Sequence, residues 1–343
     1  MSDLVSSATS YEVTVNGKVF KQTENDGLQT LVVEDHIDMV DMLTLKVGGA
    51  EGQPTWSFNI GDPVEAKLGA GSIKLFEGEI TSIDPGFQVE GVSSMTIRAL
   101  DKVHRLGRGR KTRFWLEMKD SDVATEVGAE SGLSVDADAT EDTLPYILQR
   151  NESNVAFLKR LAARNNFVLR VEDGKLLFKK ASFGGSAETF TMGENLRSAR
   201  FSFNTADMVQ KVVVRGWDII KKGEIVGEAT TGDVTKIGGG QLGADVAAVF
   251  GEVTAYITDV PVTEQGLATS IAKAEMERLA RQFCHGSAVV SGTDKVYAGS
   301  MVEFAGLSGN LNGKYFVVAT RHIVSNRSGY TTELTFCSNT YGS

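Results

Sequence analysis

Cysteine is nearly absent from this chain. Two occur in 343 residues, Cys284 and Cys337, with neither metal-ligand nor redox spacing. That excludes a disulfide-stapled scaffold, and the two read as free thiols of a reducing compartment, with a bond between them left open. Proline is also scarce, at five against 37 glycines, so the chain is rich in turns rather than in stiff linkers. No apolar run approaches the ~18–20 residues of a membrane helix. The start, MSDLVSSATSYEV, lacks a basic stretch followed by an apolar one, so no signal peptide is expected. Basic charge is in deficit as well. A formal net charge of −9 excludes a whole-surface field for nucleic acid.

Catalytic signatures are missing too. There is no HExxH and no GxSxG. SGNLNGKY ends in Gly-Lys without the first glycine or the following Ser/Thr of a phosphate loop, and GRGRK and GAGSIK lack the third glycine of a dinucleotide fingerprint. His36, His104, His285 and His322 are scattered without ligand spacing. No enzyme activity, cofactor or metal is expected.

What is present is mostly strand. YEVTVNGKVF alternates apolar and polar residues around Asn16-Gly17, a strong hairpin signal. MLTLKV, VEAKLG, SIKLFEGEITSI and SMTIRALD follow, separated by Gly, Pro and Ser clusters, as in a sandwich or barrel. The texture then changes. LDKVHRLGRGRKTRFW carries six basic residues and marks a boundary. Such a run is either a solvated linker or a contact for an acidic neighbour or passing nucleic acid. Arg108, Arg110, Lys111 and Arg113 are the candidate contacts.

DSDVATEVGAESGL reads as a short helix, capped by Asp120 or Ser121 and closed at Gly132. In YILQRNESNVAFLKRLAARNNFVLRV, Ser153 caps a helix from about Asn154 to Arg164, which ends at Asn165-Asn166. Val155, Leu158, Leu161 and Ala162 share one face. Leu158 and Leu161 should face inward, each contributing roughly 1.5–3 kcal/mol, with Arg160 and Arg164 outward. A hairpin turning at Asp173-Gly174 follows. Beyond residue 197 the chain is strand again, with a glycine-rich insertion at 222–252 read as a loop. A helix at 263–283 is capped by Thr263, with Ala268, Ala272, Met276, Leu279 and Phe283 on one face.

The two β-rich blocks repeat. GDPVEAKL and GSMVEFAG, and KLFEGEITSI and NGKYFVVATR, are displaced by the same 238 residues, Gly61 to Gly299 and Lys74 to Asn312. A fixed displacement points to a duplicated β-domain. The expected division is 1–105, a first β-barrel domain; 106–196, a small α/β domain; and 197–343, a second barrel with the insertion and helix.

This order of blocks resembles the central hubs of contractile injection machines, the phage late control D family, with relatives in the N-terminal part of type VI spike proteins. The residues carrying the resemblance are Tyr146, Gln149, Glu152, Ser153, Phe157, Leu158, Arg160 and Leu161, which match the family pattern Y-x-x-Q-x-x-E-S-x-x-x-F-L-x-R-L. The closing LNGKYFVVATRHIVSNRSGYTTELTF also fits. The N-terminal block matches only in style. No needle, oligosaccharide-binding-fold or lysozyme-like segment is seen, as in phages whose hub and spike are separate chains.

The resemblance implies a mainly β chain of two tail-tube-like barrels plus a helix-hairpin domain. It implies a homotrimer in the baseplate of the virion tail, assembled in the host cytoplasm. Six barrels would surround a channel and adapt a trimeric central spike to a hexameric tail tube. Implied partners are the spike, the tube or its initiator, the tape-measure protein and the baseplate wedge. DNA would pass in transit, without membrane insertion. The helix at 154–164 would buttress the space between the barrels. Two alternatives remain: the hub of an extracellular or type VI-like injection system passing protein effectors, and a tail-tip cell-wall hydrolase.

Overall fold

A computed structural model describes residues 11–21, 27–37, 39–48, 58–68, 73–87, 93–172, 174–325 and 329–342. The fold is mainly β. The first block contains β1 (Tyr11–Val15), β2 (Lys18–Lys21), β3 (Leu28–His36), β4 (Met42–Gly48), β5 (Pro63–Leu68), β6 (Ile73–Gly86) and β7 (Ser94–Leu100). Alternation drives these strands. In β4, Leu43, Leu45 and Val47 are buried while Lys46 is exposed. Asn16 and Gly17 turn the β1–β2 hairpin with positive φ of 47° and 80°, as a tight primed turn requires.

The middle block runs through β8 (Lys111–Lys119), α1 (Asp120–Glu130), β9 (Ser134–Ala137), β10 (Thr143–Glu152), α2 (Asn154–Arg164), β11 (Phe167–Glu172) and β12 (Lys175–Lys180). Ser153 caps α2 as expected, its hydroxyl accepting from the Ala156 N–H at 3.3 Å. Asn166, φ 55°, follows the helix end. The cap expected of Asp120 or Ser121 is not made. α1 starts one residue earlier, Lys119 is its N-cap, and no side chain caps it. Asp120 is drawn off by Arg164, and the Ser121 hydroxyl accepts from the Thr140 N–H. Gly132, φ 75°, closes α1, its N–H donating to the Ala129 carbonyl at 3.0 Å. The β11–β12 hairpin is present with Gly174 at φ 71°; Asp173 lies outside the described residues.

The last block contains β13 (Ala187–Thr191), β14 (Leu196–Phe203), β15 (Lys211–Asp218), β16 (Gly223–Thr230), β17 (Gln241–Leu242), α3 (Gly243–Ala247), β18 (Thr254–Ile257), α4 (Gln265–Ala280), β19 (Cys284–Ser291), β20 (Met301–Ala305), β21 (Gly313–Ser325), β22 (Gly329–Ser338) and β23 (Thr340–Tyr341). Residues 222–252 are not a plain loop: they hold β16, β17, α3 and 3₁₀ turns. Their glycines serve packing. A Cβ on Gly227 would sit 2.2 Å from the Ala268 carbonyl carbon, so glycine lets β16 lie directly on α4. Thr263 does not cap α4, whose N-cap is Glu264 without a side-chain hydrogen bond. Phe283 lies beyond α4 and packs in the second sheet core instead of on the helix face.

One 13-stranded sheet carries both β-rich blocks. Its main path is β14-β19-β22-β21-β3-β4-β7-β6-β5-β1-β2, with β20 on β21 and β13 on β20. Within it the repeat is structural. The path β3-β4-β7-β6-β5 is matched by β14-β19-β22-β21-β20, antiparallel throughout. Gly61 and Gly299 share φ near 92° and 94°, and each donates its N–H across to the long strand, to the Ile80 and Val317 carbonyls, both at 2.8 Å. The bulge between Leu28 and Thr30 recurs between Leu196 and Ser198. The bulge between Ile80 and Ser82 recurs between Val317 and Ala319. The displacement of 238 residues therefore holds through β5 and drops by one from β6, where Ile80 answers Val317.

The cores follow this plan. One lies in the first half-sheet and another in the second, the latter built on a ring cluster of Phe201, Phe304, Tyr315 and Phe336. The largest core joins the middle block to β15, β16 and α4: Phe157, Leu158 and Leu161 share it with Val212, Ala268 and Met276.

Candidate functional site

The residues carrying the sequence motif sit on β10 and α2, and they divide into a buried set and an exposed one. Phe157, Leu158 and Leu161 are fully buried. The Phe157 ring stacks on Trp115 at 5.2 Å and 8°, a geometry that adds about 0.5–1.5 kcal/mol beyond area burial. Gln149 is completely buried and hydrogen-bonded at both ends. Its amide nitrogen donates to the Glu152 carbonyl and to Asn154 Oδ1, both at 3.0 Å, and its Oε1 accepts from Arg113 Nε at 2.8 Å. Such a satisfied amide fixes the bend from β10 into α2. Glu152 accepts from Arg160 Nη2 at 2.7 Å, and the same nitrogen donates to the Leu148 carbonyl at 2.6 Å. Tyr146 is different. It is 52% exposed and stacks on the equally exposed Phe114 at 5.6 Å, beside the exposed Leu116.

Arg164 does not point outward. Its Nε donates to Asp120 Oδ2 at 2.6 Å and its Nη2 to Oδ1, while Asn165 Nδ2 donates to Oδ2 at 2.7 Å. Asp120 is 3% exposed, so this is a buried, bidentate pair tying α1 to the end of α2. The i-to-i+4 periodicity of α2 gave no hint of it, because the partner stands 44 residues away.

The candidate basic contacts separate likewise. Arg113 is turned into its own unit: Nη1 reaches both oxygens of Glu130, at 2.5 and 2.7 Å, and the guanidinium lies over Trp115 at 4.6 Å. Lys111 donates to Glu130 at 3.2 Å. Together they hold the Glu130 carboxyl below its usual range, against the opposing effect of burial. Arg110 donates to the Asn151 carbonyl at 3.4 Å and stays exposed, as does Arg108.

A second cluster was not visible in the sequence. Asp35, Asp41 and Asp101 converge where the first half-sheet, the middle block and the second half-sheet meet, around a cavity of about 280 Å³. Asp35 accepts from the Ala298 N–H at 2.7 Å, and Asp101 from the Asp41 and Val103 N–H groups at 2.9 and 2.8 Å. Burial, then repulsion from Asp35 and Asp101, pushes the Asp41 carboxyl up to about 9. Burial brings Asp101 to about 6 and raises Asp35 as well. Arg170 borders the cavity, donating to the Ala298 carbonyl at 3.1 Å. His322, 3% exposed, lies against the Tyr330 hydroxyl at 3.0 Å and is lowered by burial to about 4. The trio is a joint between blocks. Among the described residues no group of three His, Cys, Asp or Glu is arranged to hold a metal.

Cys284 and Cys337 are free and buried. Cys284 stands opposite Ser338 and Cys337 opposite His285 on neighbouring strands, so the thiols point to opposite faces of the sheet and cannot bridge.

The fold has solved counterparts. The 43 kDa tail protein of prophage MuSo2 from Shewanella oneidensis superposes with a TM-score of 0.74 at 14% identity, over 96% of this chain and 98% of that one. The tail protein from Neisseria meningitidis MC58 does so at 0.73 and 14%, over 97% of both. The E. coli c3393 protein, a component of the type VI secretion system, matches at 0.63 and 9%, over 96% of this chain and 78% of that one. In sequence, the probable baseplate hub protein of Escherichia phage 186 is 29% identical over 187 residues, 53% of this chain and 47% of that relative, so the match spans about half of each. The fold is therefore that of these solved tail proteins, and the sequence likeness is to a baseplate hub protein, in keeping with the resemblance carried by the motif at 146–161. The chain belongs to the family described as the Alg8 N-terminal domain, whose model matches residues 9–326.

Proposed function

We propose that this chain is the structural hub of a contractile phage tail or tail-like particle, a homotrimer that adapts a trimeric central spike to a hexameric tail tube around a channel. The carrying observation is the repeat: two half-sheets with the same strand order and the same two bulges in one chain. Three such chains present six similar units on one face and three on the other, which is the symmetry such an adaptor must reconcile.

In this reading residues 1–105 and 197–343 are tube-like barrel domains and 106–196 the helix-hairpin domain between them. The buried motif of α2 keeps that domain rigid. The stacked Phe114 and Tyr146 and the exposed Arg108 and Arg110 are the contacts for spike or wedge. The tape-measure protein and, in transit, DNA would meet the channel. The likeness to a type VI component supports a second reading, a hub that passes protein effectors.

Light scattering on the purified chain, alone and with its separately expressed spike, tests the adaptor. The expected mass is three times the 36.9 kDa chain, rising when spike is added. A monomer that ignores the spike refutes it.

A further inference from the structure

The two half-sheets are joined inside the chain by one seam. The second half of β21 pairs antiparallel with β3, from Ala319 opposite His36 to Ser325 opposite Thr30. The repeat assigns equivalents to both strands. Ile80 answers Val317, so residues 82–87 answer 319–324. The shared bulges make Leu28 answer Leu196, so β14 answers β3.

These equivalents are both open. β6 pairs with β5 only through Ile73–Glu79 and with β7 from Glu79 on, which leaves Ser82–Phe87 without a strand on the β5 side among the described residues. β14 pairs with β19 and touches Met192 and Gly193 at Leu196, and among the described residues no strand lies on its other side from Ser198 to Phe203, where it ends the sheet. In the sheet path six strands, β19, β22, β21, β3, β4 and β7, stand between the two open edges.

We propose that β6 of one copy pairs antiparallel with β14 of a second copy, in the register that repeats the internal seam: Ser82 opposite Asn204, Asp84 opposite Ser202, Gly86 opposite Arg200 and Phe87 opposite Ala199. This deepens the hub reading and rests on it for the number of copies, three, whose six half-sheets then close head to tail.

A second observation agrees. Val324, which answers Phe87, is buried at 6% in the first core by the internal seam, whereas Phe87 is 65% exposed. A bare phenylalanine stands where the repeat places a core residue. The register also sets the exposed Arg200 over Gly86, which has no side chain, diagonally beside Asp84 of the other copy. Pro85 gives this ladder only its carbonyl, so it is one donor short. Closure removes two strand edges that a lone chain leaves open to unwanted pairing.

The test is a chain carrying Asp84→Cys and Ser202→Cys, oxidised and run on a non-reducing gel, beside a chain with Asp84→Cys and Arg197→Cys. Directly opposed residues lie within reach of a disulfide, and the native thiols are buried. Chains linked up to threes through 84–202, with no links through 84–197 and dissociation by reductant, are expected. Mixing the two single variants should stop at linked pairs. Light scattering separates the failures. An oligomer that does not link through 84–202 overturns the seam and leaves the hub reading standing, as does a link formed within one chain. A monomer overturns both. Phe87→Ser gives a reading without new thiols: it should dissociate the oligomer at unchanged monomer stability, and an oligomer that ignores it counts against the seam.

Discussion

Replacing Asp120 by alanine removes the anion that holds α1 to α2. Asp120 is 3% exposed, and its two oxygens receive three hydrogen bonds from Arg164 and Asn165. The Arg164 side chain keeps 17% of its exposure, so water only partly replaces the carboxylate. Losing one member of a buried pair costs ~3–5 kcal/mol, and the partial exposure of Arg164 argues for about 3. The negative charge in the first turn of α1 is lost as well, worth about 0.3–1 kcal/mol against the helix dipole. Urea unfolding should show a lower midpoint at unchanged slope. Arg164→Ala should cost a similar amount. The double variant should cost less than the sum by roughly 1–3 kcal/mol, since each single change leaves the other charge unpaired. A cost below about 1 kcal/mol for Asp120→Ala, or strict additivity, would refute the buried-pair argument.

The carboxylate joint gives a pH dependence. Asp41 is raised to about 9 from a usual 3.8, so the native state holds a proton that the unfolded chain has lost. Stability therefore falls as pH rises between those values. Between about 4 and 6.5 His322, lowered to about 4, works in the opposite sense. The clear window is pH 7 to 9, where melting temperature should drop in the parent and stay flat in Asp41→Asn. Gly227→Ala drives a Cβ into the α4 backbone at Ala268 and should cost ~1–3 kcal/mol or more, seen as a lower denaturation midpoint; a neutral result would mean that β16 does not lie on α4. Burial pushes both thiols up to about 12, so iodoacetamide at pH 8 should label neither in the native protein and both after unfolding. Rapid native labelling would place a thiol at the surface.

Local chemistry was legible wherever the signal spans a few residues. The Asn16-Gly17 turn, the Ser153 cap and the Gly132 stop all depend on backbone conformations that particular side chains favour within one turn. The cap assigned to Asp120 failed because a distant group competed, and the one assigned to Thr263 failed because α4 starts one residue later than its pattern suggested. Arg164 took the Asp120 carboxylate, and α4 begins after Glu264 with no capping side chain. Residues 222–252 read as loop because glycine weakens any periodic pattern, although Gly227 is there to admit a helix backbone.

By itself the sequence determined the β-rich class, the position of α2, and a repeat displaced by 238 residues as far as β5, one residue out beyond it, because alternation, capping and duplication are written in residue order. It also contained the motif whose buried members hold the middle block. Only the tertiary structure decided that the two half-sheets are one sheet through β21 and β3, and that Arg113 and Arg164 turn inward. It alone brought three aspartates together at the joint. Those outcomes depend on pairs tens to hundreds of residues apart, such as Asp35 and Ala298. What settles them is which groups must share a buried space, and no local pattern records that.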